Sequence, residues 1–264
     1  MNRVMDLESH WKGSPCPKIS GTFEIHIFFT PLNPSPEIVA KYTEITELIN
    51  RARGDDPGFN RIKPVYLALD FRGVGYVKVM QSARYYVADS VDQALAECRR
   101  EADLYQRLFD ESHAKGELKE RVHVVREKLE TLASSPGVPT TDDEAQRHPQ
   151  YFEFHLRVTR RGRATGTTAH TPVTDKELRE LTTVSETFSR RFSVPVPISY
   201  NQNNEHQRYL NLRFRGIGSE TARARVQEVV TAINETASFT HVKTISEYVP
   251  FDSYPELDRG WIDF

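Results

Sequence analysis

A short pattern that pairs glutamate with histidine occurs twice in this sequence. It reads FEIH at Phe23–His26 and FEFH at Phe152–His155. Because side chains alternate between the two faces of a strand, each Glu and His share one face and the apolar residues share the other. A charged group on an apolar strand is costly without a partner. The pattern therefore predicts two related polar sites, one in each half of the chain.

Imidazole next to carboxylate suits general acid–base chemistry, because the carboxylate orients the ring and raises its pKa. The sequence predicts an acid/base enzyme that acts on a phosphate-bearing small molecule, a nucleotide or a nucleic-acid end. The predicted catalytic residues are Glu24, His26, Glu153, His155 and Glu247. The predicted substrate-binding residues are Lys128, Glu130, Arg157, Ser199, Asn201, Asn211 and Arg213, with Asp70 and Gln81 as weaker additions.

Three other interpretations of the same residues stay open. Glu and His at positions i and i+2 of one strand, with a Glu on the adjacent strand, could bind a divalent metal, although Lys128 and Arg213 would add positive charge there. The site could bind a small anionic ligand without catalysis. It could also be a structural salt-bridge network. No cofactor is expected other than this divalent metal.

The elements that position these residues repeat in the order βαββαβ, which is typical of ferredoxin-like domains. Predicted strands lie at 23–29, 65–71, 76–87 and 121–132 in the first half, and at 151–158, 196–200, 208–214 and 240–249 in the second. The order predicts an α+β fold, built as a tandem duplication of ferredoxin-like lobes whose antiparallel sheets face a shared cleft. Residues 121–132 also fit a helix, but aligning HVVREKLE with HVKTISEY favours a strand.

Linker composition sets the domain boundaries. Residues 1–20 are expected to form an N-terminal arm and 21–133 the first lobe. The segment 134–150, rich in Pro, Ser, Thr and Asp, is expected to link this lobe to the second at 151–264.

Overall composition excludes several classes of protein. Charged residues form 27% of the chain and the formal net charge is −2, so no global charge drives binding to nucleic acid or membranes. No stretch approaches the roughly 20 apolar residues of a membrane span. Cys16 and Cys98 form no CxxC pair and the first residues do not fit a signal peptide, so a cytoplasmic protein is expected.

The segments YFEFHLRV, RYLNLR and EYVPFDSYPELDRGWI resemble a little-characterised family of duplicated two-lobe proteins. That family has a YFExH strand and a C-terminal EYxxxDSxxxLDxGW signature. The resemblance covers nearly the whole chain and implies a role for Asp252 beside the glutamates and histidines, but it implies no activity. The two lobes are also similar in plan to two-histidine phosphoesterases, although Phe28 and Arg157 stand where those enzymes carry a hydroxyl residue.

Overall fold

The computed structural model describes residues 18–71, 75–147, 150–161, 172–201 and 207–255, and describes only the backbone at 67–71, 75–76 and 201. The elements are β1 Gly21–Thr30, α1 Pro36–Arg53, β2 Lys63–Phe71, β3 Gly75–Ala88, α2 Val91–Ala114, β4 His123–Leu132, α3 Asp142–Ala145, β5 Tyr151–Arg160, α4 Asp175–Phe192, β6 Ile198–Asn201, β7 Gln207–Arg215, α5 Ser219–Glu235 and β8 Phe239–Asp252. The predicted α+β class and the order βαββαβ in each half are confirmed, as is the strand at 121–132.

The eight strands form one closed antiparallel barrel in the order β1-β3-β2-β6-β7-β5-β8-β4. The prediction of two sheets facing a cleft is therefore wrong. Strand β2 pairs with β6 over Leu67–Leu69, and β4 pairs with β8 around Leu129 and Thr131. These pairs satisfy the backbone groups that two separate sheets would leave exposed at their edges. The polar faces of the two halves thus meet inside a barrel.

The long helices cover the outer face of this barrel. Alternate residues of β1, Phe23, Ile25, Ile27 and Phe29, are fully buried under α1 and α2. The ring of Phe29 lies within 6 Å of the rings of Tyr42, Tyr105 and Phe109. With the apolar residues facing the helices, Glu24, His26 and Phe28 face the barrel interior.

Local signals explain where the helices begin. Ser35 precedes α1 and its hydroxyl accepts a hydrogen bond from the Ile38 amide, while Thr174 and Glu177 form a capping box at the start of α4. Among the described residues, none of the helices combines the length and the apolar character that a membrane span requires.

Residues 134–147 pack against both halves. A β-carbon at Gly137, whose φ is +86°, would lie 2.2 Å from the carbonyl oxygen of Lys18. The Gly218 amide donates a hydrogen bond to Asp142 Oδ1 before α5. Glycine at position 137 is therefore required both by the left-handed backbone and by the close approach of the chain.

Candidate functional site

A cavity of about 290 Å³ lies inside the barrel, and residues from both halves line it. Apolar atoms form most of its wall. Nine of the twelve predicted site residues line it: Glu24, His26, Lys128, Glu130, Glu153, His155, Ser199, Asn211 and Arg213. Gln81 lines it as well. Strand alternation was the signal that predicted these residues.

In the first half, the centre of the site is His26. Its Nε2 lies 2.7 Å from Glu130 Oε2 and 3.9 Å from Glu24 Oε1, and its Nδ1 lies 2.5 Å from Gln81 Nε2. Burial alone lowers the pKa of His26, but the charges of Glu130 and Glu24 outweigh burial and hold that pKa above its usual value. The two carboxylates therefore favour the protonated form of this imidazole.

Lys128 joins the two halves of the site. Its Nζ lies 2.5 Å from Glu130 Oε1 and 2.5 Å from Glu153 Oε2, and Arg213 Nη2 lies 2.8 Å from the other oxygen of Glu153. Burial alone would raise the pKa of each carboxyl. The positive charges outweigh it, so the pKa of Glu153 is lowered and that of Glu130 lies well below its usual range. Both carboxylates are therefore ionised and each is paired.

In the second half, His155 is held by a polar chain. Its Nδ1 lies 2.6 Å from Asn211 Oδ1, and Asn211 Nδ2 donates to Ser199 Oγ at 3.0 Å. The imidazole Nε2 lies 3.6 Å from Glu153 Oε1 and 3.5 Å from Glu247 Oε2. Burial, followed by the nearby Glu130 and Glu153 carboxylates, raises the pKa of Glu247 to about 10. Glu247 is therefore protonated at neutral pH and forms no salt bridge with the imidazole.

The other three of the twelve predicted residues, and Asp70 among the weaker additions, are placed differently from this group or lie outside the described residues. Glu247 is largely buried beside His155 but does not line the cavity. Arg157 follows two positions after His155 and is half-buried, outside the lining. The side chains of Asn201 and Asp70 lie outside the described part of the chain.

An ion pair at the same face was missed as a site feature. Arg126 Nε and Nη2 donate to the two oxygens of Asp252 at 2.8 and 2.6 Å, and Tyr151 donates to Asp252 Oδ2 at 2.8 Å. The guanidinium also lies 4.8 Å from the centre of the Phe28 ring. Strand periodicity could have found Arg126, since it alternates with Lys128 in REKLE.

Three side chains of the first half could hold a metal ion. One ligand atom from each of Glu24, His26 and Glu130 lies within 4.8 Å of the others. Lys128 contacts Glu130 through Oε1, whereas His26 contacts Oε2. The ammonium group therefore does not lie between the imidazole and the carboxylate that would share the ion.

No family model and no curated protein matches this chain. Among solved structures, it is similar to a heme-binding protein from Thermus thermophilus, with 14% identity over 88% of this chain and 94% of that one and a TM-score of 0.28. A structure described as a candidate chlorite dismutase has 8% identity, covers 88% and 95%, and has a TM-score of 0.26. The dye-decolorizing protein from V. cholerae has 8% identity, covers 89% and 95%, and has a TM-score of 0.27. TM-scores of this size assign no ligand to this chain.

The prediction of acid/base chemistry on a phosphate-bearing substrate is wrong. The cations expected to hold a phosphate are already engaged: Lys128 binds two carboxylates and Arg213 binds Glu153. A phosphate would have to displace carboxylates that are already buried and paired.

The described barrel interior does not fit a heme. Its volume of about 290 Å³ lies at the lower limit of small-molecule pockets, roughly 300–1,000 Å³. An axial histidine needs a ring nitrogen that faces the iron. His26 has Glu130 at one ring nitrogen and Gln81 at the other, so neither nitrogen is turned toward an iron in the cavity.

Proposed function

We propose that this protein binds a divalent transition-metal ion inside its barrel, through Glu24, His26 and Glu130. The observation that carries the proposal is the convergence of these three side chains, with their ligand atoms within 4.8 Å of one another. One imidazole nitrogen and two carboxylate oxygens suit Zn²⁺, Mn²⁺, Fe²⁺ or Co²⁺.

Small movements would adapt this cluster to an ion. Ligand atoms at about 2.1 Å from a tetrahedral ion lie about 3.4 Å apart. The 2.7 Å between His26 Nε2 and Glu130 Oε2 must therefore widen, and the 3.9 Å between Nε2 and Glu24 Oε1 must shorten. The ion would take the place of the proton that the imidazole and Glu130 share. Positions facing the cavity remain for water or another ligand.

Gln81 supports the imidazole from behind. When Nε2 binds a metal, Nδ1 of the neutral ring carries the proton and needs an acceptor. Gln81 lies 2.5 Å from Nδ1 through Nε2, and a half-turn of its amide would present the carbonyl oxygen instead. The same side chain can thus serve the metal-free and the metal-bound ring.

The proposal includes an origin of the two halves by duplication, which the strand registers support. Glu24 faces Glu130 across β1 and β4, and Glu153 faces Glu247 across β5 and β8. Position 128 is Lys opposite His26, whereas Ile245 lies opposite His155. The described cluster that could hold a metal is the one in the first half.

Metal titration tests this proposal. Protein stripped with EDTA and dialysed would be titrated with Zn²⁺, Mn²⁺ and Co²⁺ by calorimetry, and bound metal would be counted by elemental analysis. We expect one ion per chain in wild-type protein and at least a tenfold loss of affinity in His26→Phe, because this substitution removes the nitrogen ligand. Co²⁺ bound by one nitrogen and two oxygens should also give a visible d–d absorption.

The control is His123→Phe, which removes an exposed histidine of β4 away from the cavity. It should bind metal as wild type does. Absence of stoichiometric binding in wild-type protein, or equal loss in both variants, would refute the proposed site.

A further inference from the structure

The tautomer of His155 follows from its neighbours. Asn211 Nδ2 donates to the carbonyl oxygen of Pro197 at 3.2 Å and to Ser199 Oγ at 3.0 Å. A carbonyl can only accept, so the amide NH₂ must face Pro197 and the amide oxygen must face His155. The imidazole Nδ1, 2.6 Å from that oxygen, must then carry a proton. In the neutral ring, the lone pair therefore lies on Nε2.

The Nε2 atom has no hydrogen-bond donor at good distance among the described residues. Glu153 is an ionised acceptor at 3.6 Å, and the protonated Glu247 lies at 3.5 Å. Both distances are too long for a good hydrogen bond. The imidazole lines the cavity, and its side chain is 27% exposed. A ligand that enters the cavity can therefore reach an acceptor to which no described residue donates at close distance.

The rest of the cavity favours an uncharged ligand with an apolar body. The ionised groups around it are engaged in pairs, as Lys128 with Glu130 and Glu153 shows. A charged ligand would have to break such a pair or be buried without one, and both are costly. The apolar part of the wall comes from Phe28, Val65, Tyr200, Tyr209 and Ile245.

We infer that the cavity binds an uncharged, single-ring aromatic molecule with a hydroxyl group, whose O–H donates to His155 Nε2. The volume agrees, since a cavity of about 150 Å³ is sufficient for benzene and this one measures about 290 Å³. The contact uses the second half of the barrel and none of the three side chains proposed to bind metal. It therefore does not depend on the proposed metal function.

Phenol is the probe. Toluene is the analogue that lacks a hydrogen-bond donor, and benzoate is the charged analogue. Each would be titrated into wild-type protein by calorimetry at about pH 8, with EDTA present. We expect phenol to bind at least about threefold more tightly than toluene, which corresponds to one net hydrogen bond. Benzoate should bind more weakly than both.

Two histidine variants locate the contact. In His155→Phe, which keeps a ring but removes the acceptor, phenol should lose its advantage over toluene. His123→Phe should keep that advantage. The inference is overturned if toluene or benzoate binds wild-type protein as tightly as phenol, if His155→Phe still prefers phenol, or if none of the three binds at millimolar concentration. EDTA keeps metal out of these titrations, so their outcome does not depend on whether the proposed metal site exists.

Discussion

Replacing Lys128 with methionine removes a charge that two buried carboxylates share. The ammonium lies 2.5 Å from an oxygen of Glu130 and 2.5 Å from an oxygen of Glu153, and all three side chains are at most 6% exposed. Removing one partner of a buried ion pair costs about 3–5 kcal/mol. Because Glu153 keeps Arg213 and Glu130 keeps His26, we expect the lower end, about 3 kcal/mol.

The free energy of unfolding would be measured by urea titration at about pH 5 and pH 8. In the folded protein the pKa values of Glu130 and Glu153 are lowered, so their pairing stabilises the fold above the ordinary carboxyl pKa, and this stabilisation is lost as the pH falls through the folded values. Both carboxylates of wild type are ionised at pH 5 and at pH 8, so a difference between these pH values must come from the variant. Without Lys128, burial raises the pKa of the two carboxyls and protonation at pH 5 relieves part of the cost, so the methionine variant should lose more stability at pH 8 than at pH 5.

Lys41→Met is the matched control for this loss. Lys41 also contacts two carboxylates, Glu44 at 2.7 Å and Glu117 at 3.0 Å, but their side chains are 65% and 43% exposed. Solvent screens such pairs, so we expect a cost of about 0–1 kcal/mol. If Lys128→Met costs no more than Lys41→Met at pH 8, the buried charge chain does not stabilise the barrel as inferred from its geometry.

Three further substitutions test other parts of the structure by urea unfolding. Glu247→Gln should flatten the dependence of stability on pH between about 5 and 9, because the raised pKa of Glu247 makes stability fall as the pH rises toward 10; an unchanged profile would contradict this. Phe29→Ala should cost about 3–5 kcal/mol, since it empties the space between three rings under α1 and α2, and a cost below 1 kcal/mol would exclude tight packing there. Arg84→Met should cost at least about 3 kcal/mol by leaving the buried Glu101 unpaired, and adding Glu101→Gln should restore part of the loss; no recovery would show that the pair is not the cause.

Strand periodicity predicted most of the cavity wall because a strand has only two faces. Glu24 and His26 could be assigned to one face once Phe23 and Ile25 were assigned to the core, and the same logic placed Glu153 and His155. Strand periodicity also places Arg126 on the same face as Lys128. It was not predicted as a site residue because no pattern in the sequence indicated that Asp252 is its partner. That contact joins positions 126 residues apart.

Closure of the barrel could not be read from the sequence. It depends on pairing β2 with β6 and β4 with β8, and each pairing involves only a few residues from distant parts of the chain. Local patterns set the faces of each strand but not which edges meet. The same closure decides the chemistry: it brings Lys128 of the first half against Glu153 of the second, which neutralises the group expected to bind an anion.

The two histidines show how equivalent strand positions acquire different chemistry. Gln81 Nε2 faces Nδ1 of His26, so in the neutral ring Nε2 carries the proton and donates to Glu130. Asn211 turns its oxygen toward Nδ1 of His155, so the lone pair of the neutral ring lies on Nε2. A proton bound between nitrogen and carboxylate can be replaced by a metal ion, whereas a lone pair without a close donor can accept a ligand hydroxyl. The two halves share the Glu-x-His pattern but differ in the side chain at Nδ1, which is Gln81 for His26 and Asn211 for His155. This difference supports assigning the two halves of the cavity to different ligands.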